Sequence, residues 1–229
     1  MDVSIVPILD DNYAYVIQSG GLVGVIDPGE AKPIIDYLND RDLTLDWVIN
    51  THKHGDHIDG NAQLIEKYNA KLAAPAECGD ADITLQDGVP FKFGDTSFDI
   101  TLTVGHTSGH IILFDPMYRV LFSGDTLFSM GCGRLFEGSA NDMFPAMQYI
   151  KSLPPETAIY CGHEYTASNA KFACSVMPND KDVQARAVEI MGQQCTMPAL
   201  LATELKTNPF LMAGNVDEFA QYRTAKDNF

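Results

Sequence analysis

From Thr51 to Asn61 the chain reads THKHGDHIDGN, and this stretch constrains the fold more than any other. It holds three of the six histidines in a 229-residue acidic chain. A solvated loop has no use for three imidazoles, and an apolar core segment would be harmed by them. The preceding LDWVINT reads as a strand, so the cluster begins where a strand ends. In an extended segment residues i and i+2 point the same way, which aims His52 and His54 at one point. Gly55 permits a sharp turn, after which Asp56 and His57 aim at a second point. Four ligand-type residues in six positions exceed what one tetrahedral ion takes from a single loop. The pattern therefore asks for two ions.

Two ions need more donors, and few remain. His106 follows the strand SFDITLTVG, His163 follows TAIYCG, and Asp125 follows RVLFSG. A glycine stands at or just before each ligand-type residue, as in a site built on loops at one edge of a sheet. Asp125 is the best-placed carboxylate to bridge two cations. His110 reads either as a residue that orients a ligand or as the start of the next strand. Asp27 in IDPGE and Asp59 read as turn or cap residues. Cys161 ends an apolar strand and reads as a small core hydrophobe. Cys132, between glycines, stays open between core and site.

Up to residue 165 helices interleave with short strands. VSIVPIL, YAYVIQS and LVGVIDP read as strands, and KPIIDYLNDR as a helix with Pro33 near its start. NAQLIEKY is a helix, then KLAA, FKF, SFDITLTV, HIILFD and RVLFSGD are strands. NDMFPAMQYIKSL is a helix capped by Asn141 or Asp142, and TAIYCG is the last strand. Beyond Tyr165 no strand signal follows. SNAKFACSV, DVQARAVEIMGQQC, PALLATELK and VDEFAQYRTAKDNF read as helices with prolines between them. This divides the chain into residues 1–165, a βα-rich body, and 166–229, a small helical domain, with an α+β class overall.

Composition excludes several functions. The net charge of −16 argues against nucleic acid and anionic membranes as partners. No apolar run approaches the ~20 residues that span a bilayer, and MDVSIVPILD is not a secretory signal. Five cysteines without a CxxC pair fit a reducing cytoplasm. The expected state is a cytoplasmic monomer. Against this acidity Arg223 and Lys226 stand out: three apart, they share one face of a helix that Phe219 and Tyr222 pack onto the body.

HKHGDH, with a later His, Asp and His, resembles the metallo-β-lactamase superfamily. ILDDNYAYVI, DPGE, GHTSGH, FSGDTLFSMGCGRLFEG, CGHEYT, TNPFL and YRTAKDNF make the chain similar, over nearly its whole length, to the hydroxyacylglutathione hydrolases (glyoxalase II). The resemblance implies an αββα sandwich with an added helical, substrate-binding domain. It assigns His52, His54 and His106 to a first metal ion, Asp56, His57 and His163 to a second, and Asp125 to both. The ions would be zinc first, with iron or manganese compatible with the donors. It implies hydrolysis of S-(2-hydroxyacyl)glutathione thioesters, S-D-lactoylglutathione above all, by a hydroxide at the binuclear centre, with Asp56 and Asp125 as catalytic carboxylates. Arg134, Tyr165, Arg223 and Lys226 match glutathione-binding positions. Phe136 stands where some members have a substrate-touching tyrosine, Ser108 where proline is usual, and Ile111 where threonine is usual. The alternative on the same fold is a glutathione persulfide dioxygenase with one iron.

Overall fold

The computed structural model describes residues Met1–Phe229, which form two compact units. Unit 1 comprises Met1–Leu102 with Gly109–Tyr118, and unit 2 comprises Thr103–Ser108 with Arg119–Phe229.

Unit 1 opens with the antiparallel strands β1 (Asp2–Ile8), β2 (Asn12–Ser19) and β3 (Leu22–Ile26). Helix α1 (Ala31–Asn39) then leads to β4 (Trp47–Ile49), and the helices α2 (Gly55–Ile58) and α3 (Asn61–Tyr68) lead to β5 (Lys71–Pro75). β6 (Ile83–Leu85) completes a sheet of order β1-β2-β3-β4-β5-β6. From β3 onward its pairs are parallel. Parallel neighbours need crossover connections, and α1 and α3 supply two of them. α1 buries Ala31, Ile34 and Leu38, a stripe at helical spacing, against Val16, Val25, Val48 and Leu64. β7 (Phe91–Phe93), β8 (Thr96–Leu102) and β9 (Ile111–Asp115) form antiparallel pairs in the order β9-β8-β7.

The register of this unit sets up its chemistry. Ile26 of β3 lies beside Ile49 of β4. The residues that follow, Asp27 on one strand and Asn50–His52 on the other, therefore leave the sheet side by side at its carboxyl edge. That edge is where open α/β sheets present functional loops.

Unit 2 begins with β10 (Val120–Gly124) and a short hairpin of β11 (Leu127–Phe128) and β12 (Gly131–Cys132). Helix α4 (Ala140–Ser152) crosses to β13 (Ala158–Cys161), which pairs in parallel with β10. Then come α5 (Thr166–Val176), α6 (Lys181–Glu189), the two-residue strand β14 (Ala199–Leu200), α7 (Leu201–Thr207), α8 (Pro209–Met212) and α9 (Val216–Asp227). Gly124 pairs with Cys161, so Asp125 and His163 leave adjacent strand ends.

A buried carboxylate pins the hairpin. Glu204 of α7 accepts bonds from Ser129 Oγ at 2.8 Å, the Met130 N–H at 2.7 Å and Asn208 Nδ2 at 3.1 Å. Asn208 also donates to the carbonyls of Phe128 and Gly131, and Asn169 donates to that of Ser129. Burial raises the Glu204 pKa above the usual carboxylate value, while these donors and Arg186 act the other way.

Three local expectations change. β14 pairs antiparallel with β13, so a strand does follow Tyr165; two residues are too few to carry a periodic signal. The cap of α4 is Ser139, whose N–H and hydroxyl both donate to Asp142, so Asp142 completes the capping box from inside the helix. α6 stops at Glu189, with Gly192 at a positive φ of 80° just beyond it. No helix is long and apolar enough to cross a membrane.

Candidate metal centre

In unit 1 a buried carboxylate orients two of the four clustered residues, His52 and His57. Asp27 is buried, with a positive φ of 51°, a region that Asp enters more readily than most residues. Its Oδ1 accepts the Thr51 N–H at 2.8 Å. Its Oδ2 accepts the Thr51 hydroxyl at 2.7 Å and meets His57 Nδ1 at 3.1 Å. Thr51 Oγ1 has spent its one proton on Asp27, so it accepts from His52 Nδ1, 3.0 Å away. A proton thus sits on Nδ1 of both His52 and His57, and Nε2 of each carries a lone pair. One acid therefore sets two tautomers, the arrangement that metal-binding imidazoles require.

The lone pairs converge. His52 Nε2 lies 3.1 Å from His54 Nδ1, and His57 Nε2 lies 3.6 Å from Asp56 Oδ2. Asn12 Nδ2 donates to the same Asp56 oxygen at 2.9 Å, and Asn50 Nδ2 holds the His57 carbonyl at 3.0 Å. His54 is the N-cap of α2, so the turn between the two pairs of donors is a single helical turn. Close packing from below keeps it in register: a Cβ at Gly29 would lie 1.8 Å from the Asp56 carbonyl oxygen. His110 stacks on His52 at 4.6 Å and stands immediately before β9, which starts at Ile111.

Unit 2 presents three donors on separate loops. Asp125 Oδ2 lies 3.4 Å from His106 Nε2 and 3.3 Å from His163 Nε2. His106 Nδ1 faces the Arg134 carbonyl at 3.0 Å, and a carbonyl only accepts, so that nitrogen carries the proton. His106 Nε2 and the carboxylate then oppose lone pair to charge, an arrangement that repels unless a cation or a proton lies between them. A side chain at Gly133 would meet the Asp125 carbonyl at 1.9 Å, so only glycine lets the chain after β12 approach this closely. His163 stacks on Tyr165 at 4.6 Å and 6°, and Phe128 stands edge-on to both rings.

The donor set is imidazole and carboxylate without thiolate, which fits borderline divalent ions. The nearby thiols stay protonated. Burial pushes the Cys132 thiol up to about 11 despite Arg223, and it raises that of Cys161 as well. Cys132 is therefore a strand residue whose carbonyl matters, since Arg223 Nη1 donates to it at 2.7 Å.

The residues expected to meet substrate divide by exposure. Phe136 is 60% exposed, with its ring 5.2 Å from that of His106. The Arg134 side chain is 66% exposed, and Tyr165 lies at the surface of its ring stack. Arg223 is buried at 4% and donates to Asp227 at 2.9 Å. Lys226 is half-buried over the rings of Phe172 and Phe229, and its pKa is lowered by desolvation first, then by Arg223 and Arg134. Asp27 and Asn12 are the positions the sequence reading missed. Asp27 follows a strand directly, the same strand-then-acid pattern that singled out Asp125.

The sheets, the helices and the donor clusters at their carboxyl edges define a member of the metallo-β-lactamase superfamily. The model of that superfamily matches residues 8–81 and 75–163. The model described as the hydroxyacylglutathione hydrolase C-terminus matches residues 164–229. The chain is 38% identical to a hydroxyacylglutathione hydrolase of Pelagibacter ubique over the whole of both chains. It is 41% identical to one from Acidiphilium cryptum, over 98% of this chain and 95% of the other. Among solved structures it is similar in fold to the ETHE1 protein of Myxococcus xanthus, with a TM-score of 0.76, 24% identity, and 98% of this chain and 90% of that one covered. The chain belongs to the hydroxyacylglutathione hydrolase family, with the metallo-β-lactamase fold and C-terminal helical domain of that group.

Proposed function

We propose that this protein hydrolyses S-(2-hydroxyacyl)glutathione thioesters, S-D-lactoylglutathione foremost, to the free acid and glutathione. It would act as a monomer in the cytoplasm, removing the thioester formed from methylglyoxal. His52, His54 and His106 would hold one divalent ion and Asp56, His57 and His163 a second, with Asp125 the carboxylate that would serve both. Zinc is the first choice, and iron or manganese suits the same donors. Two such ions, when bound, supply the Lewis acidity that brings the pKa of a water to ~7 and neutralises a developing oxyanion. The observation that carries this reading is the Asp125 carboxylate, faced by His106 and His163 at 3.4 and 3.3 Å.

The chain's own side chains do the rest. Asp27 and Thr51 keep the ring protons of His52 and His57 on Nδ1, away from the centre. Asp56 accepts a hydrogen bond from the attacking nucleophile. The leaving group is a thiolate, with a parent pKa of ~8.5 for a cysteine-like thiol, and it departs without a dedicated general acid. Residues 166–229 supply the substrate-binding domain for the residues 1–165 that carry the chemistry. Lys226 and Arg223 attract the glycine carboxylate of glutathione, while Arg134, Tyr165 and Phe136 line the tripeptide nearer the reacting carbonyl.

The test is metal analysis and a thioester panel on one preparation of wild type, Asp125→Asn and His54→Asn. Both variants should lose bound metal and about 10³-fold or more in kcat/KM, since Lewis-acid stabilisation is worth several kcal/mol and each decade is ~1.4 kcal/mol. If either keeps its metal and full activity, the ligand set is wrong. Oxygen uptake with glutathione persulfide, in place of thioester cleavage, would move the chain to a dioxygenase.

A further inference from the structure

The segment Cys132–Glu137 is held at one end and does the holding at the other. Arg223 of α9 donates from Nη1 to the carbonyls of Cys132 and Gly133, at 2.7 and 3.4 Å. Farther along, the segment grips the loop that carries His106 at three points. The Arg134 carbonyl takes His106 Nδ1 at 3.0 Å. The Glu137 N–H donates to the Gly105 carbonyl at 3.2 Å. Glu137 Oε2 accepts the Ser108 N–H at 2.9 Å. Gly105 and Ser108 bracket His106, so main chain and side chain of one residue clamp the loop on both sides of the imidazole. Within the loop, Gly105 sits at a φ of 148°, which side chains rarely allow, and its N–H donates to the Thr107 carbonyl at 3.1 Å. The Ser108 bond also depends on this particular sequence, since a proline there would have no N–H to donate.

We propose that Glu137 is a positioning residue for His106: its carboxylate, by accepting the Ser108 N–H, fixes the loop so that the imidazole stays on the Arg134 carbonyl with Nε2 directed at the metal centre. This rests on His106 being a metal ligand. The bond is charge-assisted, stronger than a neutral pair. Glu137 acts on His106 through the loop, by its bond to the Ser108 N–H. Partners of this kind typically change metal affinity or activity by 10–100-fold.

The experiment follows metal retention during titration with a chelator, alongside melting of the metal-free protein, for wild type, Glu137→Ala, Glu137→Gln and Ser108→Pro with and without Glu137→Ala. Glu137→Ala should give up one ion at roughly ten- to a hundredfold lower chelator concentration than wild type, with kcat falling more than KM rises. Glu137→Gln keeps an acceptor oxygen and should stay within about threefold of wild type on the same scale. In the Ser108→Pro background the N–H is gone, so Glu137→Ala should cost several-fold less. The proposal is overturned if Glu137→Ala retains metal like wild type. It is also overturned if Glu137→Gln is as damaging as Glu137→Ala, or if the cost is unchanged with Pro at 108. A parallel fall in metal-free melting temperature that accounts for the metal loss would make Glu137 structural only. Failure of wild type itself to bind metal would remove the ligand reading, a result distinct from any of these.

Discussion

The two units bring their donors to a sheet edge by opposite means. Unit 1 takes four from one loop, and a single buried side chain, Asp27, fixes the ring of His57 directly and that of His52 through Thr51. Unit 2 takes His106, Asp125 and His163 from three loops, and the His106 ring is fixed by a main-chain carbonyl. A side-chain link can be deleted by one substitution, whereas a carbonyl cannot. Local supply therefore concentrates the risk in one residue, whereas the bond that sets the His106 tautomer has no side chain to delete.

The largest effect expected from a residue outside the proposed ligand set is therefore at Asp27. In Asp27→Asn one carboxylate oxygen becomes an amide NH2, which donates. Facing His57 Nδ1, it forces that nitrogen to accept and moves the ring proton to Nε2. A geometry-preserving change then yields the wrong tautomer, as in other Asp–His pairs. At roughly 10–100-fold per ligand, with two rings dependent on Asp27, metal affinity should fall on the order of 10²–10⁴-fold. Nitrogen shifts of the imidazoles should report His57 protonated on Nε2. An Asp27→Asn protein with normal tautomers and metal content would break the contrast between the units.

How much of this could be read from the sequence follows the same division. HKHGDH is visible because its imidazoles and carboxylate are adjacent and its strand runs straight into them. Asp125 and His163 were visible only as strand-end residues. Asp27 reads as a turn residue because its role depends on β3 lying beside β4 in parallel register, a pairing across the whole of α1. The burial of Arg223 was hidden for a related reason: spacing on α9 gives its face, but not that Cys132 and Gly133 occupy the guanidinium. β6, β11, β12 and β14 are two or three residues long, below the length at which alternation carries information.

Unit 2 does contain one buried acid with a role comparable to that of Asp27, and it sharpens the comparison through stability instead of metal. Glu204 meets three donors, so Glu204→Ala leaves them buried without acceptors, at ~1–3 kcal/mol for each such group. Glu204→Gln can keep its amide oxygen on Met130 and Asn208 and turn its NH2 to the Ser129 hydroxyl, so it should cost less. The pH dependence has a definite sign. The folded pKa lies above the unfolded one, so between the two the folded state binds more protons and stability rises as pH falls. Urea melts from pH 7 down toward 4.5 should show this contribution in wild type and lose it in Glu204→Gln. Equal slopes for the two proteins would mean that Glu204 titrates as it does in the unfolded chain.

The smallest effect is expected at the surface, at Lys226. Its ammonium is within 3.3 Å of the Ser168 carbonyl and 3.4 Å of the Ser168 hydroxyl, and partial burial, Arg223 and Arg134 all favour its neutral form. Nearby positive charge is poor company for a lysine but suits a site that awaits a carboxylate. Lys226→Ala should raise KM for a glutathione thioester about tenfold, the lower end for a hydrogen bond to a charged group, and leave kcat unchanged, because the grip is remote from the carbonyl. A small thioester without glutathione should be cleaved equally by both proteins. Since the pKa is lowered, the lysine discharges below the pH at which a solvated one would. As pH rises through that range, the wild-type KM should climb toward that of Lys226→Ala. Lys226→Arg, which stays charged, should hold its KM across the same range. If wild type and Lys226→Arg follow one curve, the charge of Lys226 does not hold the substrate, and the lysine only covers Phe172 and Phe229.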